Sequence, residues 1–141
     1  MKVNSPLDNL AGAGGPLAAE PPDRNEFNGL KKSGLARLHD AANITLSLES
    51  RFDLGYNAAH ALCLAALRRL GYRAKNCYIV FQVLPHTLGL GPEVWRVLAK
   101  AHDTRNLSEY EGDLNVDERL VTDLVKAAES VASELLKLPQ P

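Results

Sequence analysis

Leu54-Gly55-Tyr56-Asn57-Ala58-Ala59-His60-Ala61-Leu62-Cys63-Leu64-Ala65-Ala66-Leu67 is the most apolar run in the chain. It sits inside a longer helical pattern, about residues 46–70. A helix that is apolar almost all round is buried on several sides. That suits the central member of a bundle, or one that also touches a second copy. Its polar exceptions are therefore informative. Asp53, Asn57 and His60 fall at i, i+4 and i+7, a single stripe, with Arg51 just before them. Buried polar groups need partners, so the stripe predicts polar groups on a neighbouring element. Gly71 ends the helix at C′, and Arg68 and Arg69 sit in the last turn, where cations complement the helix dipole.

On the N-terminal side, Phe27, Leu30, Gly34, Leu38, Ala41 and Thr45 recur at three- and four-residue steps, one face of another helix. Lys31, Lys32 and Arg37 lie off that face, as a solvated surface or a small phosphate-facing patch. Residues 1–24 hold four of the eight prolines, among glycines and small residues. Such a composition buries too little surface to offset its ordering entropy, so this segment reads as a disordered or extended tail. The domain proper spans 25–138.

On the C-terminal side, Cys77-Tyr78-Ile79-Val80-Phe81 has strand-like residue types, but no partner strand is evident and a lone strand has nowhere to pair. The segment 76–88 therefore reads as a short helix. Pro92 suits position N1 of the next helix. There Val94, Leu98, Ala101 and Arg105 share one face, and Trp95, Ala99, His102 and Asn106 the adjacent one. The pattern breaks near Gly112. Asn115, with Glu118 in capping-box spacing, opens a last helix whose apolar stripe runs Val116, Leu120, Leu124, Ala127, Val131, Leu135 and Leu138. Pro139 stops it. Four long helices and one short one predict an all-α, four- to five-helix up-and-down bundle.

At 141 residues one domain is the default. A net charge of −1 gives no general attraction to nucleic acid or anionic lipid, so any such site needs a local patch. Two cysteines make no disulfide framework, and the chain reads as cytoplasmic. No apolar run reaches membrane-spanning length. The histidines and cysteines show no metal-ligand spacing, no glycine-rich phosphate loop lies between a strand and a helix, and no cofactor is indicated.

Chemistry concentrates in His102-Asp103-Thr104-Arg105-Asn106-Leu107-Ser108-Glu109-Tyr110-Glu111-Gly112. Arg105 ends a core-facing stripe and cannot shed its proton, so it needs an anion. Asp53 is the internal candidate, as a structural pair. A bound phosphate is the functional one, matched to the planar fork. His102, three residues earlier, has the near-neutral pKa of a general acid or base. Tyr110 can hydrogen-bond or donate a proton, but with an ordinary pKa near 10 it is a poor base.

A helical bundle with a central polar stripe, followed by Arg105-Asn106-x-x-x-Tyr110 between the last two long helices, resembles the HEPN superfamily (higher eukaryote and prokaryote nucleotide-binding domains). Residues 51–60 and 67–73 add to the likeness, which covers about 25–138. The resemblance implies a homodimeric bundle. It also implies a role in a bacterial toxin–antitoxin or defence system, binding RNA or nucleotides, and a nucleotidyltransferase-type antitoxin as partner. Many members are metal-independent endoribonucleases whose signature is an arginine, a polar residue and a following histidine. Arg105 and Asn106 match the first two, and Tyr110 stands where the histidine belongs. The expectation is a nucleotide- or RNA-binding domain with altered or lost ribonuclease activity. The alternative is an active ribonuclease using Arg105 with Tyr110 or His102. Asn106, Glu109, Asp53 and Asn57 are the expected ligand-binding residues.

Overall fold

The computed structural model describes residues 5–112 and 116–141, with the side chains of 109–111 outside the described set. The elements in chain order are α1 (Pro6–Leu10), β1 (Leu17–Ala19), α2 (Arg24–Ala41), α3 (Leu48–Arg69), β2 (Tyr72–Ala74), α4 (Ile79–Gln82), α5 (Leu84–Thr87), α6 (Pro92–Glu111) and α7 (Glu118–Leu136). The fold is an all-α bundle with one small two-stranded sheet among the described residues.

The near-continuous apolar surface of α3 explains its place. It packs against α2, α7, β2, α4, α6 and α5. Phe52, Ala58, Ala59, Leu62, Cys63, Ala65 and Leu67 are fully enclosed. Alanine and glycine let the helices approach closely. A Cβ added at Gly34 of α2 would stand 2.7 Å from Leu62 Cγ, and one at Gly55 would stand 3.3 Å from Leu124 Cγ of α7. Along α7, Leu124, Ala127, Val131 and Leu135 are buried as the stripe predicted, joined by Val121, Val125, Ala128 and Ala132.

Several boundaries differ from the sequence reading. The first long helix stops at Ala41, so Thr45 is exposed in a loop, its backbone and hydroxyl both bonded to Asn43 Oδ1. The segment 76–88 holds two short helices, α4 and α5. Asp117 caps α7, accepting from Leu120 N at 2.8 Å, and Glu118 is the first helical residue. The cap thus falls two residues beyond Asn115, which lies outside the described residues, and Asp serves at an N-cap as well as Asn.

The segment before α2 is anchored rather than disordered. β1 pairs antiparallel with β2, Leu17 opposite Ala74. Leu17 is wholly enclosed and Leu7 nearly so. Two apolar side chains and a strand partner offset the ordering cost that composition alone suggested. Arg68 completes the clamp. It is 1% exposed and far from the simple dipole complement read from its position. Its Nη1 donates to Glu20 O at 3.0 Å and Tyr72 O at 3.3 Å, its Nη2 to Pro21 O at 2.8 Å, and its Nε to Glu26 Oε1. Arg68 Nη2 also lies 3.2 Å from Glu20 Oε2, and Arg73 donates to both carboxylates, at 2.7 Å to Glu20 Oε2 and 2.8 Å to Glu26 Oε2. The carboxyl of Glu20 is held below its ordinary range chiefly by Arg73, and that of Glu26 chiefly by Arg68.

Candidate functional site

Helical spacing brings polar groups of α3 and α6 together. Asn57 and His60 are three apart on α3. His102, Arg105 and Asn106 are three and four apart on α6. Each set therefore shares a face. The two faces meet over a surface cavity of about 320 Å³, lined by Tyr56, Asn57, His60, Cys77, His102, Arg105 and Asn106. None of these lining residues is acidic. Larger surface depressions exist, and one of about 530 Å³ gathers Lys100, Thr104, Arg119, Asp117 and Asp123, but there carboxylates stand beside the cations.

Arg105 is half-buried and oriented from two sides. Its Nη1 donates to Asn57 Oδ1 at 3.1 Å, and its guanidinium carbon lies 4.6 Å from the centre of the Tyr56 ring. The cation thus sits over an aromatic ring, a favourable cation–π geometry. The expected pair with Asp53 does not form. Asp53 lies one helical turn before Asn57, but it is exposed and has no ion pair among the described residues. Asn57 reaches Arg105 instead.

His102 is tethered through both ring nitrogens. Asn106 Nδ2 lies 3.0 Å from Nε2, and Tyr56 Oη lies 2.9 Å from Nδ1. With the Asn106 amide nitrogen as donor, Nε2 is the acceptor, and Nδ1 carries the proton toward the phenol oxygen. Tyr78 packs on the imidazole at 5.2 Å between ring centres. Fully buried Phe81 of α4 meets both His102 and His60 in T-shaped contacts. The His60 imidazole is pushed toward its neutral form, first by burial, then by Arg105 and then by His102.

The structure therefore gathers Arg105, His102, Asn106 and Asn57 into one place and leaves Asp53 out. The side chains of Tyr110 and Glu109 lie outside the described residues. His60 appeared in the sequence as part of the polar stripe without a role, and it lines the cavity. Tyr56, Cys77 and Tyr78 were missed as site residues. A signal existed for Tyr56, because a phenol within a nearly all-apolar helix must find a hydrogen-bond partner. Cys77 and Tyr78 arrive from a connecting segment whose path is not encoded in helical periodicity. Among the described residues, no group of three or more His, Cys, Asp or Glu is placed to hold a metal, and no helix is long and apolar enough to cross a membrane.

No protein-family model, curated protein or solved structure matches the chain.

Proposed function

We propose that this cavity binds a phosphate of RNA or of a nucleotide, and that the chain is a HEPN-like binding domain with altered or lost ribonuclease activity. One observation carries the reading: Asn57 and Tyr56 orient Arg105 beside a surface cavity where His60, His102 and Asn106 converge with it. An oriented guanidinium loses little further freedom when an anion arrives, and its fork matches two phosphate oxygens. Asn106, exposed at the rim, supplies a neutral polar group. Homodimerisation, a place in a toxin–antitoxin or defence system and a nucleotidyltransferase-type antitoxin belong to the same proposal. They rest on the resemblance of Arg105-Asn106-x-x-x-Tyr110 and its flanking helices.

Calorimetry with a nucleoside monophosphate tests the binding. Arg105→Ala removes a charge-assisted contact worth roughly 1.5–3 kcal/mol, so affinity falls about tenfold or more. Equal affinity in wild type and variant rejects Arg105 as the phosphate anchor.

A second reading, metal-independent cleavage of RNA, draws support from His102 beside Arg105. In such a reaction the ribose 2′-oxygen bonds to phosphorus and loses its proton to a base. The bond to the 5′-oxygen breaks, and that oxygen gains a proton. Nε2 of His102 is the available base once Asn106 swings aside, and Arg105 faces the charge that develops on the phosphoryl oxygens. Cleavage without metal, compared among wild type, Arg105→Ala, His102→Ala and Tyr110→Phe, decides it. Equal background cleavage by wild type and Arg105→Ala excludes the enzyme.

A further inference from the structure

The Arg105 cavity does not stand alone. A second cavity of about 200 Å³ lies next to it, and His60 and Cys77 line both. The far side of the second cavity is formed by Arg73, Lys75 and Asn76, on the strand end and loop that follow α3. No described lining residue of either cavity is acidic.

The two cations at the far end differ. Arg73 is engaged by Glu20 and Glu26, so its charge is largely offset. Lys75 is exposed and makes no side-chain hydrogen bond or ion pair among the described residues. Its backbone is nevertheless held firmly: Lys75 N donates to Pro16 O at 2.9 Å, continuing the β1–β2 pairing. Next to it, Asn76 Oδ1 accepts from Ile79 N at 3.0 Å and fixes the turn into α4. Lys75 is therefore an exposed cation on a backbone fixed by the strand pairing. The imidazole of His60 lines both cavities, and the half-buried ring of Tyr78 packs on His102 in the wall of the first. A ring at the junction of two cavities that each carry a cation suits single-stranded nucleic acid, with phosphates on the charges and a base on the ring. The Arg105 cavity alone is at the small end for a ligand pocket.

We propose that the two cavities form one groove for a single-stranded RNA segment, with Arg105 on one phosphate and Lys75 on another. This rests on the reading of the Arg105 cavity as a phosphate site. It makes the ligand an oligonucleotide rather than a free mononucleotide.

Binding of uridine monophosphate and of hexauridylate to the full chain, over a salt series, tests the groove. Wild type is expected to bind hexauridylate at least tenfold more tightly. Lys75→Ala should weaken hexauridylate several-fold and flatten its log–log salt dependence by about 0.7, the contribution of one contact on a single strand, with uridine monophosphate unaffected. Arg105→Ala should weaken both ligands. Hexauridylate binding and salt slope unchanged in Lys75→Ala, while Arg105→Ala still weakens both ligands, overturns the groove and leaves the phosphate site standing. Equal weakening of both ligands by Lys75→Ala puts Lys75 in a single pocket and overturns the second subsite. Failure of wild type to bind either ligand removes the phosphate reading and the groove with it. Alkylation gives an independent readout. Cys77 is exposed, whereas Cys63 is enclosed and its thiol is pushed well above its ordinary range by burial. A bulky maleimide on Cys77 should therefore block hexauridylate, and undiminished binding by the labelled protein overturns the groove.

Discussion

Arg105 donates to Asn57 Oδ1 across the α3–α6 contact, 48 positions apart in the chain and 3.1 Å apart in space. A neutral amide on the neighbouring helix orients the guanidinium there. Asn57→Asp would replace that amide with a competing carboxylate. It should lower phosphate affinity about tenfold, equivalent to ~1.4 kcal/mol, while leaving thermal stability equal or higher. Tighter phosphate binding by the aspartate variant would contradict the role given to Asn57.

His60 sets a pH dependence. Its folded-state pKa lies below the ordinary 6.5 because of burial, Arg105 and His102. Above 6.5 the imidazole is neutral in both the folded and unfolded chains. Below it, the unfolded chain takes the proton first, so stability falls as pH drops from 6.5 through the lower folded value. A bound phosphate offsets the repulsion from Arg105 and should raise the His60 midpoint. NMR titration with and without nucleotide reads this directly, and His60→Gln should flatten the stability profile across the same window.

Gly34 tests the closeness of α2 and α3. In a free helix Ala is better than Gly by roughly 1 kcal/mol. Here the new Cβ would meet Leu62 at 2.7–2.8 Å, and overpacking of this kind costs about 1–3 kcal/mol. Gly34→Ala should therefore lower the unfolding free energy in chemical denaturation, against its helix propensity.

Arg68 holds the N-terminal segment. Arg68→Ala leaves the carbonyls of Glu20 and Pro21 without their donor and opens a void under the arm. The expected loss is ~3 kcal/mol or more, with cleavage by a protease appearing within residues 5–23 before the helices are attacked. The clamp also responds to acid. Glu20 and Glu26 titrate below their ordinary 4.5 in the fold, so their contribution is complete above about that value and is lost as pH falls through the depressed pKa values. Retention of the arm in Arg68→Ala at neutral pH would show that the strand pairing alone suffices.

Much of the fold was legible because helical periodicity is local. The α7 stripe, the enclosed face of α3, Pro92 at the head of α6 and glycines at the ends of α3 and α6 could all be read from spacing and backbone preference. For the arm, composition left disorder and an extended path both open, because it cannot show that Leu17 will meet β2. The partner of Arg105 was misread because Asp53 and Asn57 differ by a single turn, and the rotation of α3 against α6 selects between them.

The sequence by itself determined the bundle, the order and approximate extent of its long helices, and the pairing of His102, Arg105 and Asn106 on one side of α6, since these follow from residue spacing within one helix. Only the tertiary structure decided that Asn57 rather than Asp53 receives Arg105, that Tyr56 tethers His102, that Arg68 is a buried clamp, and that Cys77 and Lys75 continue the cavity wall. Those relationships depend on how helices rotate and where connections pass. They arise from packing among residues distant in the chain, which no local pattern records.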